Sequence, residues 1–347
     1  MPFATTQTTQ TTQTTQTTQT TQTTQGLPAL DHAGQGSSTQ LSLSLDSIGQ
    51  SLPGVITPNP LIGAPRPGPA KTLARLEPGH RHILITEDLA RGLALDTGVA
   101  DQATLRNDAG DALCEINAPF PAAGDPRAAL ENVVNRRWLR AERMNEIVSQ
   151  QADILSYLAM AYPMTRSTHP MTLALLDAVQ AAAGRFVVAA KHHLNVARPV
   201  ELTAAIAPVI RTPAHAACPS GHATEAFAMV FVLEALVFGQ ASRELRSIAA
   251  RIEENRVIAG VHYIEDGYAG RILAAATARD FAAKLGVPDA SIPTEAEALA
   301  WVDSGEEGVI AQGGGSNGLR PVAPPAGAAA TPLLDIVMNE VRAEIGV

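Results

Sequence analysis

Three short segments of the chain carry lysine, arginine, serine, histidine and aspartate at spacings suited to an anion. The first is Lys191-His-His-Leu-Asn-Val-Ala-Arg198-Pro199. Seven residues are two helical turns, so Lys191 and Arg198 are expected on nearly the same helix face, where like charges repel unless an anion or acids lie between them. The second is Cys218-Pro219-Ser220-Gly221-His222-Ala223-Thr224, just before an apolar run. A helix N-terminus there offers free N–H groups and a positive dipole end. Ser220 adds a hydroxyl, Gly221 admits close approach to the backbone, and His222 stands at the mouth, where it can give or take a proton. The third is Asn255-Arg256-Val-Ile-Ala-Gly260-Val-His262-Tyr-Ile-Glu265-Asp266. One turn apart on a helix, Asp266 accepts the Nδ1 proton of His262 and leaves Nε2 free as nucleophile or ligand. Arg256 falls about 120° round that helix and relies on its length, and on clearance at Gly260, to reach the site. Each segment alone has a plainer reading: a solvated basic edge, an ordinary serine N-cap, a core histidine paired with an acid.

Together they make a site for a tetrahedral oxyanion. Lys191, Arg198 and Arg256 supply cations, Ser220 and Gly221 a cradle, and His262 and His222 two histidines with different tasks. Their order resembles the type 2 phosphatidic-acid phosphatase and vanadium haloperoxidase superfamily. Its pattern is Lys, six residues, Arg-Pro; then Pro-Ser-Gly-His; then Ser-Arg, five residues, His, three residues, Asp. The chain matches at Lys191–Arg198-Pro199, Pro219–His222 and Arg256–His262–Asp266, with Asn255 where serine is usual. The resemblance covers roughly residues 125–285. It implies a metal-independent phosphatase, in which His262 attacks phosphorus, His222 protonates the leaving alcohol and then activates water, and Asp266 orients His262. It equally implies a haloperoxidase, in which His262 holds vanadate as cofactor and halide is oxidised with hydrogen peroxide.

Two features favour the haloperoxidase-like branch. No bundle of transmembrane helices is legible. His215, five residues before Ser220, also falls where haloperoxidases place a halide-pocket side chain. One feature points the other way: Val188 stands three residues before the lysine, where haloperoxidases often carry tryptophan. The expected function is a vanadium-dependent haloperoxidase-like enzyme that oxidises halide with hydrogen peroxide at a vanadate bound to His262; the alternative is the phosphatase, acting on a phosphate ester. A non-catalytic oxyanion-binding module is the third option.

The elements that must position these residues are helices. The expected fold class is all-α, a helical bundle of the acid phosphatase/vanadium haloperoxidase type with a disordered N-terminal tail. Thr5 to Gln25 is seven TTQ triplets, too polar to offset chain entropy, so residues 1–70 are expected to be a disordered tail. Residues 71–124 are assigned to an N-terminal cap region, with a short strand at His82–Thr86 and a turn at Asp108–Asp111. The helical domain spans 125–303: Asp125 and Pro126 start a helix to about Tyr162, then Met171 to about Arg198, ended by Pro199, then Ser220–Phe238, Arg243–Asp266, Gly267–Leu285 and a short helix at Thr294–Asp303. Residues 304–330 read as a Gly/Pro-rich linker. The last stretch, 331–347, reads as a terminal helix that docks on the body or on a partner subunit, which leaves a homo-oligomer open.

Composition agrees. Of 347 residues, 46% are hydrophobic and only 4% aromatic, with abundant alanine, which suits close-packed helices. A net charge of −9 argues against nucleic acid as partner. Cys114 and Cys218 are too few for a disulfide framework. The start MPFATTQTTQ has neither basic residues nor an apolar run, so no signal peptide is expected. The most apolar stretch, Ala223–Phe238, contains two glutamates and is short for a bilayer, so a cytoplasmic or otherwise soluble protein without a transmembrane segment is expected.

Overall fold

A computed structural model describes residues 68–120, 124–294, 297 and 329–346. Nearly all of the TTQ tail, most of the expected helix at Thr294–Asp303 and most of the Gly/Pro-rich linker lie outside the described residues.

The fold is mainly helical. Its centre is α8 (Gly221–Leu233), prolonged by a wider π turn, Glu234–Phe238. From Ala223 to Phe238 every residue is buried. A helix apolar on all sides needs neighbours all round, and α8 packs on α6 (Pro170–Leu194), α9 (Arg243–Ile258) and α10 (Ile264–Leu285). Small residues allow close approach. A Cβ on Gly270 of α10 would lie 2.9 Å from the Ser220 carbonyl and 3.0 Å from Ala223 Cβ, so glycine there seats α10 against the start of α8.

The N-terminal region is α1 (Pro69–Arg75), α2 (Pro78–Ala90) and an antiparallel meander, β1 (Ala94–Asp96), β2 (Gln102–Arg106) and β3 (Ala112–Asn117). The expected strand at His82–Thr86 is instead inside α2. Pro78 starts this helix, and His82, Ile85 and Leu89 fall at helical spacing on its buried face, so tertiary packing against α6 overrides β-branched propensity. The turn expected at Asp108–Asp111 joins β2 to β3.

Three further expectations are corrected. The run from Asp125 is divided into α3 (Arg127–Asn135), α4 (Arg140–Ser149) and α5 (Leu155–Leu158). Asp153 makes the last break, accepting the Ser156 N–H at 3.0 Å in competition with helix continuation. Helix α6 stops at Leu194, not Arg198, because Asn195 adopts the left-handed conformation (φ 46°, ψ 38°) that terminates helices. Arg198 then precedes a short turn, α7 (Pro199–Leu202). The single helix expected over Arg243–Asp266 is two helices: α9 ends at Ile258, and Gly260 at φ 85° turns the chain. A Cβ at Gly260 would meet Ile206 and Arg140 at 2.8 and 2.9 Å. Arg140 donates there to the carbonyls of Ile258, Ala207 and Ile206, which ties the end of α9 to the loop beside it.

The terminal helix, α11 (Pro332–Ile345), is capped by Thr331 and docks on the body. Glu344 accepts the Met171 and Thr172 N–H groups at 2.7 and 2.8 Å, a carboxylate on the positive end of α6. Two stretches, Pro170–Leu202 and Gly221–Phe238, are long and apolar enough to cross a membrane; 67% and 89% of their apolar windows are buried within the fold.

Candidate active site

The site forms where the C-terminal end of α6, the start of α8 and the link between α9 and α10 meet. One cleft is lined by Lys191, Arg198, His215, Gly221, His222, Glu225, Arg256 and His262, with an apolar wall that includes Val187, Val188, Ile210 and Val261.

Lys191, in the last turn of α6, donates to the carbonyls of Ala216 and Ala217 at 3.0 and 2.6 Å. Burial and the nearby Arg198 push its pKa well below the ordinary lysine value, which makes an incoming anion its natural counter-charge. Arg198 does not share a helix face with Lys191 as its spacing implied; it reaches the cleft from the extended segment beyond Asn195. Its Nε donates to the His215 carbonyl at 2.9 Å and its Nη1 to the Val261 carbonyl at 2.6 Å. Burial lowers Arg198 to about 10 and Arg256 to about 9, so both remain cations at neutral pH.

Arg256 stands at the end of α9, on the helix preceding the His262 loop, so the expected 120° offset does not arise. Its Nη2 donates to the Ile147 carbonyl at 3.0 Å and to Gln150 Oε1 at 3.1 Å. Its Nε and Nη1 are buried without a hydrogen-bond partner among the described residues. Orphaned guanidinium donors are costly, and at a cleft they are suited to anion oxygens.

His262 lies in the loop before α10, not on a helix, and Asp266 lies in the first turn of α10. The proposed pairing nevertheless forms: His262 Nδ1 is 2.9 Å from Asp266 Oδ2, which also accepts the Tyr263 N–H at 3.0 Å. Arg198 Nη1 sits 3.0 Å from His262 Nε2. A guanidinium can only donate, so Nε2 carries the lone pair and Nδ1 the proton. Burial, reinforced by Arg198 and Lys191, holds the imidazole pKa well below its usual value. Burial raises Asp266 to about 6, against Lys191 and the Tyr263 N–H, leaving it ionised at neutral pH.

His222 Nε2 lies 3.0 Å from the Gln150 carbonyl and must donate to it, which leaves Nδ1 as the atom able to exchange a proton. Burial and Arg256 keep this ring neutral. Ser220 is the N-cap of α8, its Oγ 3.5 Å from the Ala223 N–H. It is buried behind the cleft rather than among the lining residues, whereas Gly221 does line it. The Ser220 N–H donates to the Asp266 carbonyl at 2.8 Å, which joins the start of α8 to the His262 loop.

His215 lines the cleft. Its Nδ1 lies 3.0 Å from Arg198 Nη2 and 3.2 Å from the Ala216 carbonyl, a donor and an acceptor that favour opposite tautomers. Burial, then Lys191 and Arg198, lower its pKa to about 4. Val188, where haloperoxidases often carry tryptophan, is also at the rim and is 51% exposed.

Two site residues escaped the sequence reading. Gln150 holds Arg256 with its side chain and His222 with its carbonyl, and Asn255 donates to Gln150 Oε1 at 3.0 Å. Asn255 thus supports the cradle at one remove. No local pattern marks Gln150. Glu225 is also a lining residue; its place three after His222 and four after Gly221 on one helix face is the sequence signal for it. His192 is exposed, and His193 Nε2 sits 2.9 Å from the Val99 and Gln102 carbonyls, away from the cleft. Cys218 is buried with its thiol pKa raised by burial, which makes it inert.

A mainly helical fold that gathers three buried cations round an acid-oriented histidine defines a class of oxyanion-handling proteins. Residues 172–284 match the PAP2 superfamily, so a domain of that superfamily is present there, with every motif residue from Lys191 to Asp266 inside it. Members of this superfamily are generally phosphatases or haloperoxidases. No curated protein sequence matches the chain.

Proposed function

We propose that the cleft is the active site of a metal-independent phosphatase that hydrolyses phosphate monoesters through a phosphohistidine at His262. The observation that carries this reading is the state of His262: its Nε2 lone pair points at Arg198 while Asp266 holds the proton on Nδ1.

On binding, Arg198 Nη1 would exchange His262 Nε2 for a phosphoryl oxygen, releasing the lone pair. Lys191 and the unpartnered Nε and Nη1 of Arg256 take other oxygens, together with the Gly221 N–H at the α8 terminus. The Nε2–P bond then forms as the P–O bond to the leaving alcohol breaks. The bound ester raises the proton affinity of the nearby imidazole of His222, whose Nδ1 takes up a proton from solvent on binding and then passes it to the alcohol oxygen. The same atom next takes a proton from water, whose oxygen attacks phosphorus, breaks the N–P bond and releases orthophosphate.

A second reading, a haloperoxidase, is supported by His215, a neutral ring at the rim of the cleft. His262, Lys191, Arg198, Arg256 and Gly221 would hold vanadate, which supplies activation of hydrogen peroxide for halide oxidation. Glu225 weighs against it, because a carboxyl facing the cleft can share a proton with an oxyanion but repels a bare halide when ionised. The aromatic-poor wall points the same way. We read the two apolar helices as core and the enzyme as soluble.

The test is to assay the purified chain for aryl phosphate hydrolysis without additives, and for peroxide-dependent bromination after adding vanadate. Hydrolysis that vanadate blocks, with no bromination, is expected. Bromination that requires vanadate, without hydrolysis, would replace the first reading by the second. Phosphate binding with neither activity would leave a binding module.

A further inference from the structure

One buried ionisable group at the cleft has no part in the proposed chemistry. Glu225 is 6% exposed, and its Oε2 accepts the Gln180 Nε2 proton at 2.9 Å. Among the described residues, Oε1 has no hydrogen-bond partner and the carboxyl makes no ion pair. Oε1 lies 3.6 Å from where a Cβ on Gly221 would sit, which places it beside the backbone that cradles the oxyanion. Lys191 makes no ion pair with it; that ammonium donates to the Ala216 and Ala217 carbonyls and acts on Glu225 only through space. A buried carboxyl with one partnered and one unpartnered oxygen, facing an anion site, cannot be ionised against a fully deprotonated anion without strong repulsion.

We propose that Glu225 selects the ligand by its proton: Oε1 and one oxygen of the bound oxyanion share a single hydrogen, supplied by either side. The site therefore favours oxyanions that carry a proton, such as phosphate, vanadate and singly protonated phosphate monoesters, over sulfate, which carries none. This rests on the oxyanion reading of the cleft and adds a selection rule to it. The same logic makes a site built to accept a ligand hydrogen reject the analogue lacking it.

Burial raises the Glu225 pKa to about 7, the Gln180 hydrogen bond and Lys191 working in the opposite direction. Below that pH the carboxyl brings the proton and either anion binds. Above it, sulfate binding requires proton uptake, whereas phosphate brings its own hydrogen. The other ionisable groups round Glu225 are Lys191 on α6, His222 on its own helix, and Arg198, His215, Arg256 and His262 across the cleft. Their titration acts on both anions and cancels in the ratio of the two affinities.

The experiment is calorimetric titration of the full chain with inorganic phosphate and with sulfate at constant ionic strength, from pH 7.5 to 9. The ratio of phosphate to sulfate affinity is expected to rise by roughly tenfold per pH unit. In Glu225→Gln, which cannot ionise, the ratio should be flat across the range. A flat ratio in the native chain overturns the proposal even if the variant fails to fold. So does a rising ratio that persists in Glu225→Gln. Binding of neither anion to the native chain refutes the oxyanion cleft itself, and the selection rule with it.

Discussion

Two regions of this molecule bury arginine to the same degree and use it differently. In the core, Arg246 and Arg271 are each about as buried as Arg198 and Arg256 in the cleft. Arg246 meets Glu234 with two hydrogen bonds of 3.0 Å, and Arg271 meets Glu253 at 2.6 and 3.0 Å. Their charge is cancelled inside the chain. Arg198 and Arg256 direct their bonds to carbonyls, a histidine nitrogen and an amide oxygen, and among the described residues neither makes an ion pair with a carboxylate. A buried cation whose counter-charge is missing from the chain is positioned to take one from a ligand. Burial alone does not distinguish structural from functional arginine; the partner does.

The comparison can be broken at several points. The largest effect should come from His262→Ala, which removes the nucleophile and should lower kcat by at least about ten-thousandfold with the fold intact by circular dichroism. Full activity in that variant would dismiss the site assignment. Next, Asp266→Asn should cost about a thousandfold, because an amide no longer stabilises the charged ring or fixes its tautomer. In the native enzyme kcat should fall as pH drops through about 6, where Asp266 gains a proton. That acid limb should be absent from the Asp266→Asn profile.

The arginine comparison itself is tested by a matched pair. Arg256→Met should lower kcat by about a hundredfold to a thousandfold, while stability falls by only about 1 kcal/mol, the two acceptors left behind being neutral. Arg246→Met should instead destabilise the fold by about 3–5 kcal/mol, since it strands a buried glutamate, without a comparable effect on kcat of the folded fraction. Denaturant unfolding beside steady-state kinetics reads both. Equal destabilisation by the two changes would end the distinction. The smallest effect is expected for Asn255→Ser. It leaves Gln150 bonded to Arg256 and should change kcat by no more than about tenfold, by the scale of one neutral hydrogen bond.

Much of the site was legible because its residues lie in short motifs whose order and spacing survive wrong local geometry. Lys191 and Arg198 were expected on one helix, and His262 and Asp266 on another; neither arrangement occurs, yet Lys191, Arg198 and His262 line one cleft and Asp266 still bonds His262. Asn195 in the left-handed conformation and Gly260 at φ 85° redirect the chain just where a helical wheel would have extended it. The strand expected at His82–Thr86 failed for a related reason, its apolar residues being claimed by a neighbouring helix.

What the sequence by itself determined is the inventory: a helical class from composition and periodicity, and cations, two histidines and an acid in a fixed order. Only the tertiary structure decided which donors lack partners. Gln150 meets Arg256 across 106 positions and Glu225 meets Gln180 across 45, contacts that no local period encodes. The orphaned N–H groups of Arg256, the His262 lone pair turned to Arg198 and the Glu225 oxygen left unpartnered among the described residues all follow from packing between segments distant in sequence.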